Sequence, residues 1–247
     1  MIITIASGKG GVGKSNFVAN LGLCLSDFGV DTLIVDGNLS NGDLSCILGP
    51  PFPECTIHDL FSNDANFEDI VFAHPAGVKM IASSLALEDV ETVPPQHLWK
   101  VRTQLSKAAD IVLVDAPGTL GNNTLETLKI ADRVILITTP EITSFSNTLK
   151  TKMVADRNGV EIFGTVLNKV RKNEKRVRRI AKEWLGTPLL CSLPYDNNVI
   201  KSSEYGRAVL RHKPRSAYSI GIRKFGAKLA NVTYKAGRRK KVTRSHS

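Results

Sequence analysis

An α/β fold of three layers, a mostly parallel sheet with helices on both faces, is predicted by three features of the sequence. Short apolar runs alternate with amphipathic stretches of about ten to fifteen residues, the rhythm of βαβ units. The runs are continuous rather than alternating in polarity, as strands covered on both faces are. The first run also leads straight into a glycine-rich loop and then a helical pattern. In chain order, the strands are expected at Ile2–Ala6, Thr32–Val35, Val78–Ala82, Ile111–Val114, Val134–Thr138, Ile162–Leu167 and Leu189–Leu190, with a first helix over Lys14–Asp27. Gly49-Pro50-Pro51-Phe52-Pro53 punctuates a loop, not a domain boundary, because the α/β rhythm resumes after it. One domain over residues 1–233 and a flexible basic tail over 234–247 are expected.

Composition narrows the class. No stretch of 18 or more apolar residues is present to span a bilayer. Met1 runs into a strand with no signal-peptide pattern, so a cytoplasmic protein is expected. Cys24, Cys46, Cys55 and Cys191 have neither C-x-x-C nor metal-site spacing. Cys24 and Cys191 fall in apolar patterns and are expected as buried free thiols. The 33 Lys and Arg outnumber the 23 Asp and Glu, but thirteen of the basic residues follow Glu204, beyond which there is no carboxylate. The body is therefore nearly balanced and the excess sits in the C-terminal arm.

The loop Ser7-Gly8-Lys9-Gly10-Gly11-Val12-Gly13-Lys14-Ser15 fits G-x-x-x-x-G-K-[ST] with Gly8, Gly13, Lys14 and Ser15 in register. Glycines let the backbone turn tightly, so successive N–H groups from Gly8, Gly10, Gly11, Val12, Gly13, Lys14, Ser15 and Asn16 can face one phosphate chain. Lys14 would reach the β- and γ-phosphates, Ser15 would ligate Mg²⁺, and the helix N-terminus would lie under the anion. Four further polar signals follow predicted strands: Asp36, Asp115, Asn168 and Pro194-Tyr195-Asp196. In an open α/β sheet the strand C-termini form the ligand edge. The sequence thus implies a P-loop NTPase fold.

Lys9 carries the argument further, because a cation so early in the loop cannot easily curl back to its own γ-phosphate. Lys9 to Ser15 match K-G-G-x-G-K-[ST], and the chain resembles the MinD/ParA group of deviant Walker A ATPases over residues 1–215. Pro140-Glu141 and the stretch from Tyr205-Gly206 to Val209 look more like MinD than the shorter ParA forms. The resemblance implies ATP/ADP and Mg²⁺ as cofactors and a homodimer with ATP at its interface, in which Lys9 contacts the partner's nucleotide; a solvated surface lysine is the plainer reading. It implies that Asp115 is the Walker B carboxylate for the Mg²⁺ shell and that Gly118 senses the γ-phosphate. Asn168 and Pro194–Asp196 would form the adenine site, an amide being able to donate to and accept from the adenine edge; a turn-forming Asn and an N-capping Asp115 are the alternatives. Asp36 would join Ser15 and Asp115 around the metal. Family members carry Asp-x-Asp at the switch I position, whereas this chain has Asp36-Gly37-Asn38, and an amide orients water without taking its proton. Slow hydrolysis is therefore expected. Asp43 is a candidate substitute carboxylate or a helix cap. The cluster cysteines of related iron–sulfur ATPases are missing.

The surface on which such a switch acts stays open. Ile222, Phe225, Leu229 and Val232 share one helical face, which suits either a helix lying on an anionic membrane or the last helix of the domain. Gly237-Arg238-Arg239-Lys240-Lys241 can add attraction to an anionic leaflet or to DNA. Arg171, Lys172, Lys175, Arg176, Arg178, Arg179 and Lys182 form a second cluster suited to non-specific DNA, or simply a solvated helix. The readings are a MinD-like spatial switch in cell division or in positioning a surface machine, peripheral on the inner face of the membrane; a ParA-like DNA-binding partition ATPase; and an adaptor for which ATP binding alone is the signal. Each needs an unknown regulator protein.

Overall fold

The computed structural model describes residues 1–40, 42–86 and 97–234. Its sheet has eight strands: β1 (Ile2–Ala6), β2 (Thr32–Asp36), β3 (Phe72–His74), β4 (Val78–Ile81), β5 (Ile111–Asp115), β6 (Arg133–Thr138), β7 (Glu161–Val170) and β8 (Leu189–Pro194). Their order is β3-β4-β2-β5-β1-β6-β7-β8, parallel throughout except for the β3–β4 edge pair. All seven expected strands are present. β3 has no counterpart among them: three residues at an antiparallel edge are too short to show a pattern. β7 and β8 run longer than expected, since β8 is mostly half-buried and presents no continuous apolar run.

The two faces of the sheet bury different residues of the same strands, as a period of two requires. Ile3, Ile5, Ile34 and Leu113 pack with the helix Lys14–Asp27, while Ile2, Leu33, Val35, Val112 and Val114 pack with Ile57, Leu98 and Leu105 on the other side. This explains the unbroken apolar runs. From β1 the chain moves toward β2, and from β6 toward β7, so the loops leaving these neighbours diverge. Their C-terminal ends bound a crevice, the topological switch point where such sheets take ligands.

The C-terminal arm resolves one alternative. The helix Ala217–Leu229 starts at Ser216, whose hydroxyl accepts from Ser219 N, and buries Ile222 and Phe225. It packs on the helix Lys14–Asp27 and on β8: Phe225 lies 5.9 Å from Phe17 between ring centroids, and Cβ atoms added to Gly221 and Gly226 would fall 2.8 Å from Leu193 Cδ2 and 2.7 Å from Cys24 Sγ. The apolar face read as a membrane-lying surface is therefore core. Val232 lies past the helix end, and the polybasic run Gly237–Lys241 lies outside the described residues. Among the described residues no helix is long and apolar enough to cross a membrane. Cys24 is buried as expected; Cys191 is only half-buried because β8 is an edge strand. Burial pushes both thiols up to about 12.

Candidate functional site

β1 ends in the glycine-rich loop, and the helix Lys14–Asp27 begins on Gly13, whose φ of 91° is a left-handed conformation that suits glycine. Two neighbouring residues at the end of β7 hold this loop from below. Asn168 Nδ2 donates to Val12 O at 2.8 Å, and Lys169 Nζ donates to Gly11 O at 2.7 Å. With these carbonyls occupied, the loop's amides are left for an anion. A Cβ on Gly13 would stand 2.6 Å from Asn168 Nδ2, and one on Gly8 would stand 2.1 Å from Asn147 O in the helix Ile142–Arg157. The loop is thus wedged between β7 and that helix, and its shape depends on both. Sequence motifs do not single out Lys169, and its own φ of 57° leaves no local signature there.

The register of β2 on β5 pairs Asp36 with Asp115, which brings two carboxylates together at adjoining strand ends. Both are 1% exposed. Asp36 Oδ1 accepts from Asn38 N and Oδ2 from Leu44 N, both at 3.1 Å, so one carboxylate ties Asn38 to the first residue of the helix Leu44–Leu48. Burial and the neighbouring Asp115 charge push the Asp36 carboxyl up to about 8, against the pull of those two N–H groups. Burial also raises Asp115, and the Lys14 ammonium, 3.2 Å from Asp115 Oδ1, opposes it. That oxygen faces the Lys14 ammonium, and the Ser15 hydroxyl also meets the carboxylate, so Lys14, Ser15 and Asp115 form one buried polar group. Among the described residues no three His, Cys, Asp or Glu side chains form a cage. Mg²⁺ needs none: it is commonly held by one or two carboxylates, waters and substrate phosphates. Two desolvated carboxylates that repel each other, beside the Ser15 hydroxyl, fit such an ion.

Lys14 and Ser15 border a cavity of about 580 Å³, within the usual range for small-molecule sites, whose lining does not include Asp36 or Asp115. Its wall includes Lys9, the loop Gly10–Asn16, Asn38, Gly118, Asn168 and Pro194–Asp196, so the loops leaving β1, β2 and β5 meet the ends of β7 and β8 there, while the expected Asp36 and Asp115 are buried outside the lining. Gly118 abuts the loop so closely that a Cβ added to it would lie 3.1 Å from Gly10 Cα. Asp43 also lines the cavity; it stands at the start of the helix Leu44–Leu48 but makes no side-chain cap bond. Cys46, Ile47, Val199 and Ile200 contribute an apolar side that the motifs do not foretell. Beside it, the Arg171 guanidinium lies 3.5 Å from the Tyr195 ring centroid.

Three of the expected groups have structural duties as well. Asn168 Oδ1 accepts from Lys169 N, so its amide is already engaged on both sides. Asp196 caps two helices, accepting from Asn198 N and from Tyr218 N; these bonds outweigh its partial burial and hold its carboxyl below the ordinary range. Lys9, partly exposed, turns its ammonium across the crevice onto Glu141, the residue before the helix Ile142–Arg157. The cluster Arg171–Lys182 surrounds the helix Glu174–Leu185 and is exposed, with Arg178 paired to Glu174 and Arg179 to Glu183.

Residues 3–209 match the family model described as the CobQ/CobB/MinD/ParA nucleotide binding domain. An uncharacterized ATP-binding protein of Methanocaldococcus jannaschii is 31% identical over 240 residues, covering 97% of this chain and 91% of that protein. The septum site-determining protein MinD of Pyrococcus horikoshii, solved with Mg-ADP, superposes with a TM-score of 0.86 at 30% identity, covering 92% of this chain and 95% of that one. The cell division ATPase MinD of Pyrococcus furiosus gives the same TM-score and identity, covering 93% and 98%.

Proposed function

We propose that this chain, which belongs to the CobQ/CobB/MinD/ParA nucleotide-binding domain family, is a slow Mg²⁺-dependent ATPase whose ATP-bound dimer acts as a spatial switch in cell division or in positioning a surface machine. The observation that carries this reading is the buried Lys14–Asp115 pair at the end of the glycine-rich loop, with Lys14 and Ser15 lining the cavity. In this reading Lys14 and the loop amides bind the phosphates. Ser15, Asp36 and Asp115 hold Mg²⁺, which neutralises phosphate charge when bound. The Asn168 and Pro194–Asp196 wall takes the adenine, with the amide's remaining donor and acceptor capacity facing the base. Asn38 orients the attacking water but cannot accept its proton, so turnover rests on positioning and charge stabilisation. Lys9 exchanges Glu141 for the nucleotide of a second copy, which makes dimerisation depend on ATP. Residues 1–233 carry these functions and 234–247 form a basic tail.

Sizing the protein with Mg-ATP and with Mg-ADP tests this. A dimer in ATP alone supports it, and a monomer in both refutes it. Lys14→Ala should abolish nucleotide binding, whereas Lys9→Ala should keep binding and lose the dimer; a normal Lys9→Ala dimer would remove the role in trans.

A second reading has an observation of its own. The helix Ala217–Leu229 is built into the core, which removes the apolar anchor from the membrane reading, while the basic side of Glu174–Leu185 is exposed. Such a face suits non-specific contact with DNA phosphates, as a ParA-like partition ATPase would need. Sedimentation with anionic liposomes and with duplex DNA at physiological salt, each in ATP and ADP, separates the two surfaces.

A further inference from the structure

His58 plays no part in the reading above, yet it is 1% exposed and lies directly behind the loop that carries Asn38. It is the second residue of the short helix Ile57–Ser62, whose start is locked by a capping box. Thr56 Oγ1 accepts from His58 N at 3.2 Å, and Thr56 N donates to Asp59 Oδ2 at 2.6 Å. Ile57 N adds a bond to Ala82 O. The backbone under the imidazole is therefore held on three sides.

The ring joins two loops. Ser84 N, past the end of β4, meets His58 Nδ1 at 3.1 Å, and Leu39 O, one residue after Asn38, meets Nε2 at 3.1 Å. A backbone N–H can only donate, so Nδ1 must be the acceptor; a carbonyl can only accept, so Nε2 must carry the hydrogen. A neutral imidazole has one donor and one acceptor, and this geometry uses both. The same two loops touch elsewhere at close quarters: a Cβ on Gly42 would lie 2.7 Å from Ser83 Cβ and 3.2 Å from Asp36 Oδ2. Asp36 holds Asn38 and Leu44 from the sheet side, and His58 holds Leu39 from behind.

We propose that His58 is a positioning residue for hydrolysis: by holding Leu39 O against the rigid Thr56–Asp59 cap it sets where Asn38 stands in the nucleotide cavity. This rests on the ATPase reading for its consequence but not for its geometry. The contact to Leu39 uses the far ring nitrogen and the contact to Ser84 the near one, which allows them to be separated. A glutamine amide reaches the place of Nε2, and an asparagine amide the place of Nδ1.

The experiment compares His58→Gln with His58→Asn by hydrogen exchange over residues 37–44 in the nucleotide-free protein and by steady-state ATPase kinetics. His58→Asn is expected to speed exchange of that segment and to lower kcat about five- to tenfold, the size of one lost hydrogen bond, with the KM for ATP unchanged. His58→Gln is expected to stay near the parent in both. Equal behaviour of the two variants, or a change confined to thermal stability or to KM, would overturn the proposal. Exchange is read without nucleotide, so a parent chain lacking turnover would refute the ATPase reading while exchange still judges the role of His58.

Discussion

Truncating Phe225 to alanine puts a number on the assignment of the last helix. The side chain is 4% exposed and packs against the fully buried Phe17, with Gly226 closed onto Cys24 in the next position. The site cannot collapse easily, because the helix is held to β8 by the Gly221–Leu193 contact and at its start by the Ser216 cap. Removing a buried phenyl ring under such conditions costs about 3–5 kcal/mol, transfer and cavity together. Against a total stability of about 5–15 kcal/mol, this is about a fifth of the fold or more. With a denaturant slope of about 3 kcal/mol/M, the urea midpoint should fall by more than about 1 M. Lys224→Ala, on the exposed side of the same helix, should stay within about 0.5 kcal/mol. Equilibrium urea unfolding followed by circular dichroism measures both. A Phe225→Ala loss below about 1 kcal/mol would refute the core assignment and restore the helix as a detachable surface element.

Three further outcomes are expected. Asn38→Asp restores a proton acceptor and should raise the ATPase rate about tenfold, modest because phosphoryl transfer depends mainly on positioning; a rate unchanged or lower in a phosphate-release assay counts against the role of Asn38. Between the ordinary carboxylate pKa and its folded value of about 8, Asp36 holds its proton more firmly in the folded than in the unfolded chain. Nucleotide-free stability should therefore fall as pH rises from 5 to 8, by at most about 1.4 kcal/mol per pH unit from this group, and Asp36→Asn should flatten the slope; a parallel melting profile for the variant would disprove the shift. Gly13→Ala combines a left-handed φ with a Cβ 2.6 Å from Asn168 Nδ2. The strain of about 1–2 kcal/mol and the lost Asn168–Val12 bond of about 1 kcal/mol should weaken ATP more than tenfold by titration calorimetry, and an unaltered affinity would show that the loop does not depend on that clamp.

Much of this molecule is legible in local patterns. Strands covered on both faces write themselves as unbroken apolar runs, which is why β1, β2, β5 and β6 can be placed. The glycine-rich loop can be read because the geometry it imposes is local, a left-handed Gly13 followed at once by a helix. Edge elements are less legible. β3 is three residues of mixed burial and β8 is half-exposed, so neither leaves a clear period.

The sequence by itself determined the layered α/β class, the phosphate loop with Lys9 and Lys14, and the residues at the strand ends, because chain-local spacing and periodicity encode them. Only the tertiary structure decided whether the face of Ile222 and Phe225 met water or core, since the same amphipathic stripe suits either until a partner surface is known. It also decided that Asn168 and Lys169 hold the loop carbonyls, that Lys9 rests on Glu141, and that His58 stands behind Leu39. These contacts join residues 19 to 158 positions apart, and their directions are set by strand order and register, which no single segment contains.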